Sequence, residues 1–272
     1  MRGKSMQNIK EKISESVIRS HLITEKIGKK IILLDVIDST NDYLKEIFIE
    51  HMTDGIVVIA NEQLHGKGCK GKRFISEVGK GIYMSLLLSP TFDDKYLGCI
   101  VELVAVAICE AIEKVYNIEC YVKWLNDIYY AQKKLGGILV ERGIYDDKSI
   151  LVIGMGINVE GIPISLSDIA IAISEIPHNR GTKCQLIAEI LNCIEERYLE
   201  CLRSEKNFDL LESDYKHLMC SEKRRYHFVL GNTEFDGYII DTKKHAKEII
   251  IKDVNGNIRL ADYLGVTVIP CK

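Results

Sequence analysis

The sequence predicts an α+β protein: a mixed β-sheet with helices mainly on one face, followed by a smaller β-rich C-terminal unit. Three observations carry this reading. Apolar runs of strand length (IILLDVID, GIVVIAN, IYMSLLLS, ILVIGMGINV) recur between Ile31 and Val159. A long apolar segment with helical spacing, Tyr96 to Tyr116, sits among them, and helical patterns return at Gln185 to Leu202 and Phe208 to Leu218. After about Glu222 the pattern changes to short alternating strands. Strands crowded after one long helix fit a mixed sheet with helices over one face. The expected divisions are a short helical segment over 1–30, a main unit over 31–221 and a C-terminal unit over 222–272.

Bulk properties narrow the function classes. With 272 residues, 47% hydrophobic and 28% charged, the chain suits a folded soluble protein of one large domain, or one large plus one small. A net charge of −3 supplies no global basic field for nucleic acid. No apolar run is long enough to span a bilayer, and Met1 to Lys12 lacks a signal-peptide core. Nine cysteines without a CxxC pair read as reduced thiols of a cytoplasmic protein, not as a disulfide framework or a structural zinc site.

Taken in order, Met1 to Lys30 is polar, with a helical pattern in Ile9, Ile13, Val17 and Ile18. Ile31 to Asp38 reads as a buried strand that stops at a capping signal. Ser39, Thr40 or Asn41 can cap a helix running through Tyr43, Leu44, Ile47 and Phe48. Three consecutive small polar side chains exceed what a cap requires. Gly55 to Asn61 is a second strand, which delivers Glu62 and Gln63 to a glycine-rich loop. Ile82 to Ser89 is a third, ended by Pro90. The Tyr96 to Tyr116 helix, with Leu97, Ile100, Val101, Val104, Ile108 and Ile112 at helical spacing, is assigned to packing on the sheet. YVKW and DIYY form strands around Leu125 and Asn126, and GGILVERG and ILVIGMGINV follow. In the C-terminal unit the strands are YHFVL, TEFDGYII, KEIIIKD and IRLADY, and VNGN (Val254 to Asn257) is the strongest hairpin signal.

The chemistry-bearing stretch is NEQLHGKGCKGKRF, Asn61 to Phe74. Gly66, Gly68 and Gly71 alternate with Lys67, Lys70, Lys72 and Arg73. Glycine permits close approach of a ligand to the main chain, free N–H groups can form an anion nest, and the lysines add charge. A solvated surface loop would share this composition. The stretch is neither a GxxxxGK[ST] P-loop nor a GxGxxG fingerprint.

DSTNDYL (Asp38 to Leu44), this loop, KWLND (Lys123 to Asp127), KLGGILVE (Lys134 to Glu141) and GMGINV (Gly154 to Val159) follow one another in an order and spacing that resembles the catalytic core of biotin protein ligases. The likeness runs from about Leu22 to the C-terminus. It implies a class II synthetase-like core plus a small C-terminal SH3-like β-barrel. It also implies an ATP-dependent ligase that forms biotinyl-5'-AMP and transfers biotin to a lysine of a carrier domain. The implied ligands are biotin, ATP and Mg2+. The implied partner is the biotin carboxyl carrier protein of acetyl-CoA carboxylase, or the carrier of another biotin-dependent carboxylase. Some relatives carry an N-terminal winged helix that binds operator DNA and needs roughly sixty residues. Only 38 residues precede Ser39, so that arm and DNA binding are not expected. No membrane partner is expected, and a homodimer stays open.

By the same resemblance, Ser39, Thr40 and Asn41 match the segment that hydrogen-bonds the ureido ring. Gln63, Gly66, Lys67, Gly68, Cys69, Trp124, Lys134, Gly137 and Gly156 complete the implied biotin site. Lys67, Gly68, Lys70, Lys72, Lys123, Asn126, Lys134 and Asn158 form the implied ATP and adenylate site. Lys134, Lys67, Asp127 and Lys123 are the implied catalytic set. Taken residue by residue, alternatives stand beside several of these roles. Lys134 alone reads as a solvated lysine, a reading that the GGILVE after it reverses; Asp127 reads as a turn residue or a proton acceptor, Trp124 as a pocket wall or core, and Asn158 as a strand-end turn residue or the adenine contact.

Five positions depart from the family pattern. Lysine replaces arginine at Lys67 and Lys72, Cys69 stands where arginine is frequent, Phe74 replaces tryptophan and Leu125 replaces proline. Lysine keeps charge but loses the bidentate fork, and the neutral Cys69 implies an enzyme that leaks activated biotin more readily. The competing readings are a lipoate or octanoate ligase on the same fold, a non-catalytic biotin-sensing regulator, and an interaction scaffold with a degenerate loop.

Overall fold

The computed structural model describes residues 12–51, 54–145, 148–220, 224–243, 248–262 and 265–271. Ile9 of the expected N-terminal helical pattern lies outside them. α1 (Glu15–His21) leads to β1 (Ile31–Ile37), α2 (Thr40–His51), β2 (Val57–Gln63) and β3 (Gly81–Leu88). α3 (Cys99–Tyr116) precedes β4 (Tyr121–Lys123), β5 (Asp127–Tyr130), β6 (Lys133–Tyr145) and β7 (Lys148–Asn158). α4 (Lys183–Arg203) and α5 (Lys206–Cys220) lead to β8 (Tyr226–Leu230), β9 (Thr233–Lys243), β10 (Glu248–Asp253), β11 (Ile258–Asp262) and β12 (Val266–Pro270).

Among the described residues, the first seven strands pair in the order β1-β2-β3-β7-β6-β5-β4. The β1–β2 pair is parallel and the others are antiparallel, so the sheet is mixed as predicted. β3 is buried along its whole length, which explains its nearly unbroken apolar sequence.

Side-chain alternation divides the core between the two faces of this sheet. Val57, Ile59, Met84, Leu86, Ile153 and Met155 point to the face covered by α3 and α4. Ile56, Val58, Leu87, Ile150 and Val152 point to the other, where Leu44 of α2 packs on them. Helices therefore lie mainly on one face, with α2 on the opposite one.

The apolar segment begins helical geometry at Cys99, three residues later than its spacing predicts. Asp94–Tyr96 forms a separate 3-10 turn, and the Tyr96 ring stacks on Phe208 with centroids 3.9 Å apart. α4 opens with a capping box: Gln185 N–H donates to Thr182 Oγ1 (3.1 Å), and Thr182 N–H donates to Gln185 Oε1 (3.0 Å). Further along, Glu195 accepts from the amides of Glu25 (2.6 Å), Lys26 (2.7 Å) and Ile27 (3.3 Å). Asn192 accepts from Ile23 N–H (3.0 Å) and donates to His21 O (3.1 Å). Two buried side chains thus supply the partners that an irregular backbone needs.

The last five strands form a second, antiparallel sheet in the order β11-β10-β9-β8-β12. This fits the SH3-like expectation, with no ladder closing β11 onto β12 among the described residues. The VNGN hairpin forms as predicted: Gly256 takes φ +90°, and the Asp253 carboxylate collects the amides of Asn255 (3.0 Å) and Asn257 (2.9 Å). β12 was not among the predicted strands. Among the described residues, no helix is long and apolar enough to cross a membrane.

Candidate functional site

A cavity of about 570 Å³ opens on the α2 face of the larger sheet, beyond the end of that helix. β7 explains why the space exists. Its residues on this face run Ile150, Val152, Gly154, Gly156: apolar under the helix, then bare. A Cβ at Gly154 would lie 2.4 Å from Asn41 Oδ1, and one at Gly156 would lie 2.6 Å from the Phe74 ring. The glycines of GMGINV thus admit the polar turn from one side and the basic loop from the other.

The polar turn is fixed from several directions. Ser39 Oγ accepts from Asp42 N–H (3.4 Å), capping α2. Thr40 donates through its amide (2.9 Å) and hydroxyl (3.0 Å) to Gln63 Oε1, whose own Nε2 donates to Ser76 Oγ (2.9 Å). Asn41 Nδ2 donates to Glu141 Oε2 (2.8 Å), and its Oδ1 accepts from Ser85 Oγ (2.5 Å). All three turn residues are buried, at 2–3% exposure, so capping accounts for Ser39 while Thr40 and Asn41 belong to a buried network.

The glycine loop crosses the cavity mouth. Gly66 cannot be replaced without displacing backbone, since a Cβ there would meet Phe74 O at 2.5 Å. Gly68 N–H donates to Lys72 O (2.7 Å), and Lys70 takes the left-handed conformation, φ +56°. Lys70 Nζ donates to Val266 O of β12 (3.3 Å), and Asn126 Nδ2 donates to Cys69 Sγ (3.0 Å) and Ile138 O (2.7 Å). Lys67 Nζ lies 2.7 Å from the Asp42 carboxylate, whose hydrogen bond raises the lysine's pKa.

At the far wall, Lys134 Nζ meets Asp127 Oδ1 at 2.5 Å. The β5–β6 pairing sets Asp127 opposite Gly137, and a Cβ there would press on both partners at 3.1–3.3 Å. Lys134 is therefore half-buried and ion-paired, which removes the solvated reading. Burial lowers the pKa of Lys123; Asp127 opposes this, while Lys134 and Lys72 add to it. Trp124 is 6% exposed and belongs both to the core and to the cavity wall.

Of the residues assigned to the implied biotin, adenylate and catalytic sets, all line this one cavity except two. Gly66 is not in the lining and lies against Phe74 O, Ser76 and Gln63. Asn158, on the same face of β7 as Gly154 and Gly156, is not in the lining; its Nδ2 donates to Ile171 O (3.2 Å), beside the bridge between Lys134 and Ala170. Ser85, Glu141, Tyr129 and the stretch Val266 to Val268 were not singled out. Ser85 had a signal, as a polar residue inside an apolar run, and Glu141 closes the KLGGILVE motif. The β12 residues reach the cavity through long-range packing, which no local pattern announces.

Residues 33–158 match the family described as Biotin/lipoate A/B protein ligase family. Over 205 residues the chain is 36% identical to the bifunctional ligase/repressor BirA of Bacillus spizizenii, an alignment covering 73% of this chain and 63% of the relative. Over residues 33–158 the chain is similar to the biotin/lipoate A/B protein ligase family. It spans a little under two thirds of that Bacillus relative. A biotin--protein ligase of Homo sapiens is 31% identical over 156 residues, or 55% of this chain and 22% of the human one. Among solved structures of the family, a biotin protein ligase from Aquifex aeolicus in complex with biotin and ATP superposes with a TM-score of 0.73 at 26% identity, covering 89% of this chain and 100% of that one.

Proposed function

We propose that the chain is an ATP-dependent biotin protein ligase. The observation that carries this reading is the placement in one cavity of a buried hydrogen-bonding turn (Ser39, Thr40, Asn41, Gln63), a cationic loop (Lys67, Lys70, Lys72) and the Lys134–Asp127 pair. In the first step a biotin carboxylate oxygen attacks the α-phosphorus of ATP, and pyrophosphate leaves. Two anions must meet, so the site must neutralise charge and fix an in-line approach. Lys134 and Lys123 face the reacting groups from the sheet, and Lys67, Lys70 and Lys72 face them from the loop. In the second step the neutral amine of a carrier lysine attacks the acyl carbonyl and AMP leaves, with Asp127 placed to accept the amine proton.

Asp127 is the one carboxylate lining the cavity among the described residues, and it is paired with Lys134. No group of three or more acidic, His or Cys side chains is placed to hold a metal ion among those residues. Mg2+ would accordingly be held through the phosphate oxygens of the nucleotide, where it would offset their charge. We assign residues 31–221 to the catalytic unit and 222–272 to a C-terminal unit that supplies the β12 wall. The proposed acceptor is the biotin carrier domain of acetyl-CoA carboxylase or a similar carboxylase, met in the cytoplasm.

The test is the intact mass of an unmodified carrier domain after incubation with this protein and Mg-ATP, with biotin, lipoate or octanoate in parallel. A biotin-sized gain in the first tube alone is the expected result. A gain only with lipoate or octanoate would reassign the acyl group, and no gain in any tube would overturn the ligase reading.

A further inference from the structure

Lys67 stands between two glycines, Gly66 and Gly68, on the loop that crosses the cavity mouth. Its backbone is bridged to Arg73 across the loop, while its four-carbon stem carries about 2 kcal/mol of rotamer entropy. Yet its ammonium is held, 2.7 Å from Asp42 on the first turn of α2. Asp42 stands behind that ammonium, outside the cavity lining. It is itself braced: Lys45 Nζ lies 3.5 Å from Asp42 and 2.6 Å from Glu141 on β6. Glu141 accepts from Asn41 Nδ2 at 2.8 Å, and Asn41 Oδ1 accepts from Ser85. An unbroken chain of polar contacts thus joins the loop cation to the buried turn, through residues of α2, β6 and β3.

We propose that Asp42 is a positioning residue for the ligase reaction, clamping Lys67 over the cavity before substrates arrive and slowing escape of the acyl adenylate. The inference rests on the acyl-adenylate reading given above. Ordering the loop in advance removes a cost that would otherwise be met on binding, which is the general effect of preorganisation. The same contact links the two halves of the site, because a shift of Asn41 is felt at Lys67 through Glu141, Lys45 and Asp42. With cysteine at position 69, Lys67 is the cation of this loop whose ammonium is anchored to α2.

The test compares wild type with Asp42→Asn, which keeps shape and removes charge, and with Asp42→Glu, which restores charge. Two quantities are read: amide hydrogen exchange across residues 66–73 in the ligand-free protein, and the rate at which preformed acyl adenylate leaves the enzyme. For Asp42→Asn we expect faster exchange and release about two- to fivefold faster, the range of a half-exposed ion pair, with folding intact by thermal melt. Asp42→Glu should recover both. Unchanged exchange, or release no faster than wild type, overturns the proposal. Slower release would mean that Asp42 competes with the ligand for Lys67. If wild type forms no acyl adenylate the functional reading fails, while the exchange measurement still decides whether Asp42 clamps the loop.

Discussion

At the scale of single residues, several charges at the cavity are held by a specific neighbour. Lys134 is the clearest instance, since its 2.5 Å contact with Asp127 fixes an ammonium on the wall where developing phosphate charge would be met. We expect Lys134→Ala to lower pyrophosphate release by about 10²–10³-fold, the usual cost of deleting one such donor, with the circular dichroism spectrum unchanged. Normal pyrophosphate release from the folded variant would remove Lys134 from the first step. Asn158 shows how a residue of the implied site is itself held. Its amide donates to Ile171 O (3.2 Å), next to the strand that carries Lys134. Residue type and spacing located the strand end but not this backbone partner, which comes from a separate segment.

At the scale of elements, the arrangement depends on β7 presenting no side chains where α2 and the loop approach. Gly154→Ala should therefore cost about 1–3 kcal/mol as an overpacking change and weaken biotin binding by displacing Asn41, measured by calorimetric titration. In an Asn41→Ala background the stability penalty should largely vanish. An equal penalty in both backgrounds would show that the 2.4 Å approach is not its source. A second element-level prediction concerns α4. Glu195→Ala removes the acceptor of three backbone amides between Glu25 and Ile27. We expect a loss of about 2–4 kcal/mol, from the net worth of hydrogen bonds to charged groups, and new proteolytic sensitivity in residues 22–30. Most elements were legible in the sequence because their apolar periods reflect one-sided or two-sided burial. β3 and α3 are the extreme cases, buried on both faces and along one long stripe. What escaped were features set by distant chain segments: β12, its stretch Val266 to Val268 against the cavity, and the Ser85–Asn41–Glu141 network.

At the scale of the whole molecule, the two sheets share one apolar core. Phe228, Ile249 and Val266 of the smaller sheet belong to the same buried cluster as Ile153, Val122 and Tyr215. Tyr215 Oη donates to Leu125 O (2.7 Å), tying α5 to the turn between β4 and β5. The fluorescence of Trp124, the one tryptophan in the chain, and far-ultraviolet dichroism should therefore report coincident thermal unfolding, and separated transitions would show that the C-terminal sheet melts alone. Inside this core, on α3, lies Glu102, at 0% exposure. Burial pushes its carboxyl up to about 8, Glu212 adds to the rise and Lys216 opposes it. The unfolded chain releases this proton near 4.5, whereas the native state keeps it to about 8. Between those values the unfolded state binds fewer protons, so stability from this group falls as pH rises through the window and levels off above it. Three to four units at about 1.4 kcal/mol each set an upper bound of about 5 kcal/mol. Glu102→Gln removes the titration while keeping the shape. The difference in unfolding free energy between variant and wild type, from urea titrations at pH 5 and 8.5, should therefore move in favour of the variant as pH rises. A difference that stays flat between the two pH values would mean that Glu102 ionises in the native state no less readily than in the unfolded chain.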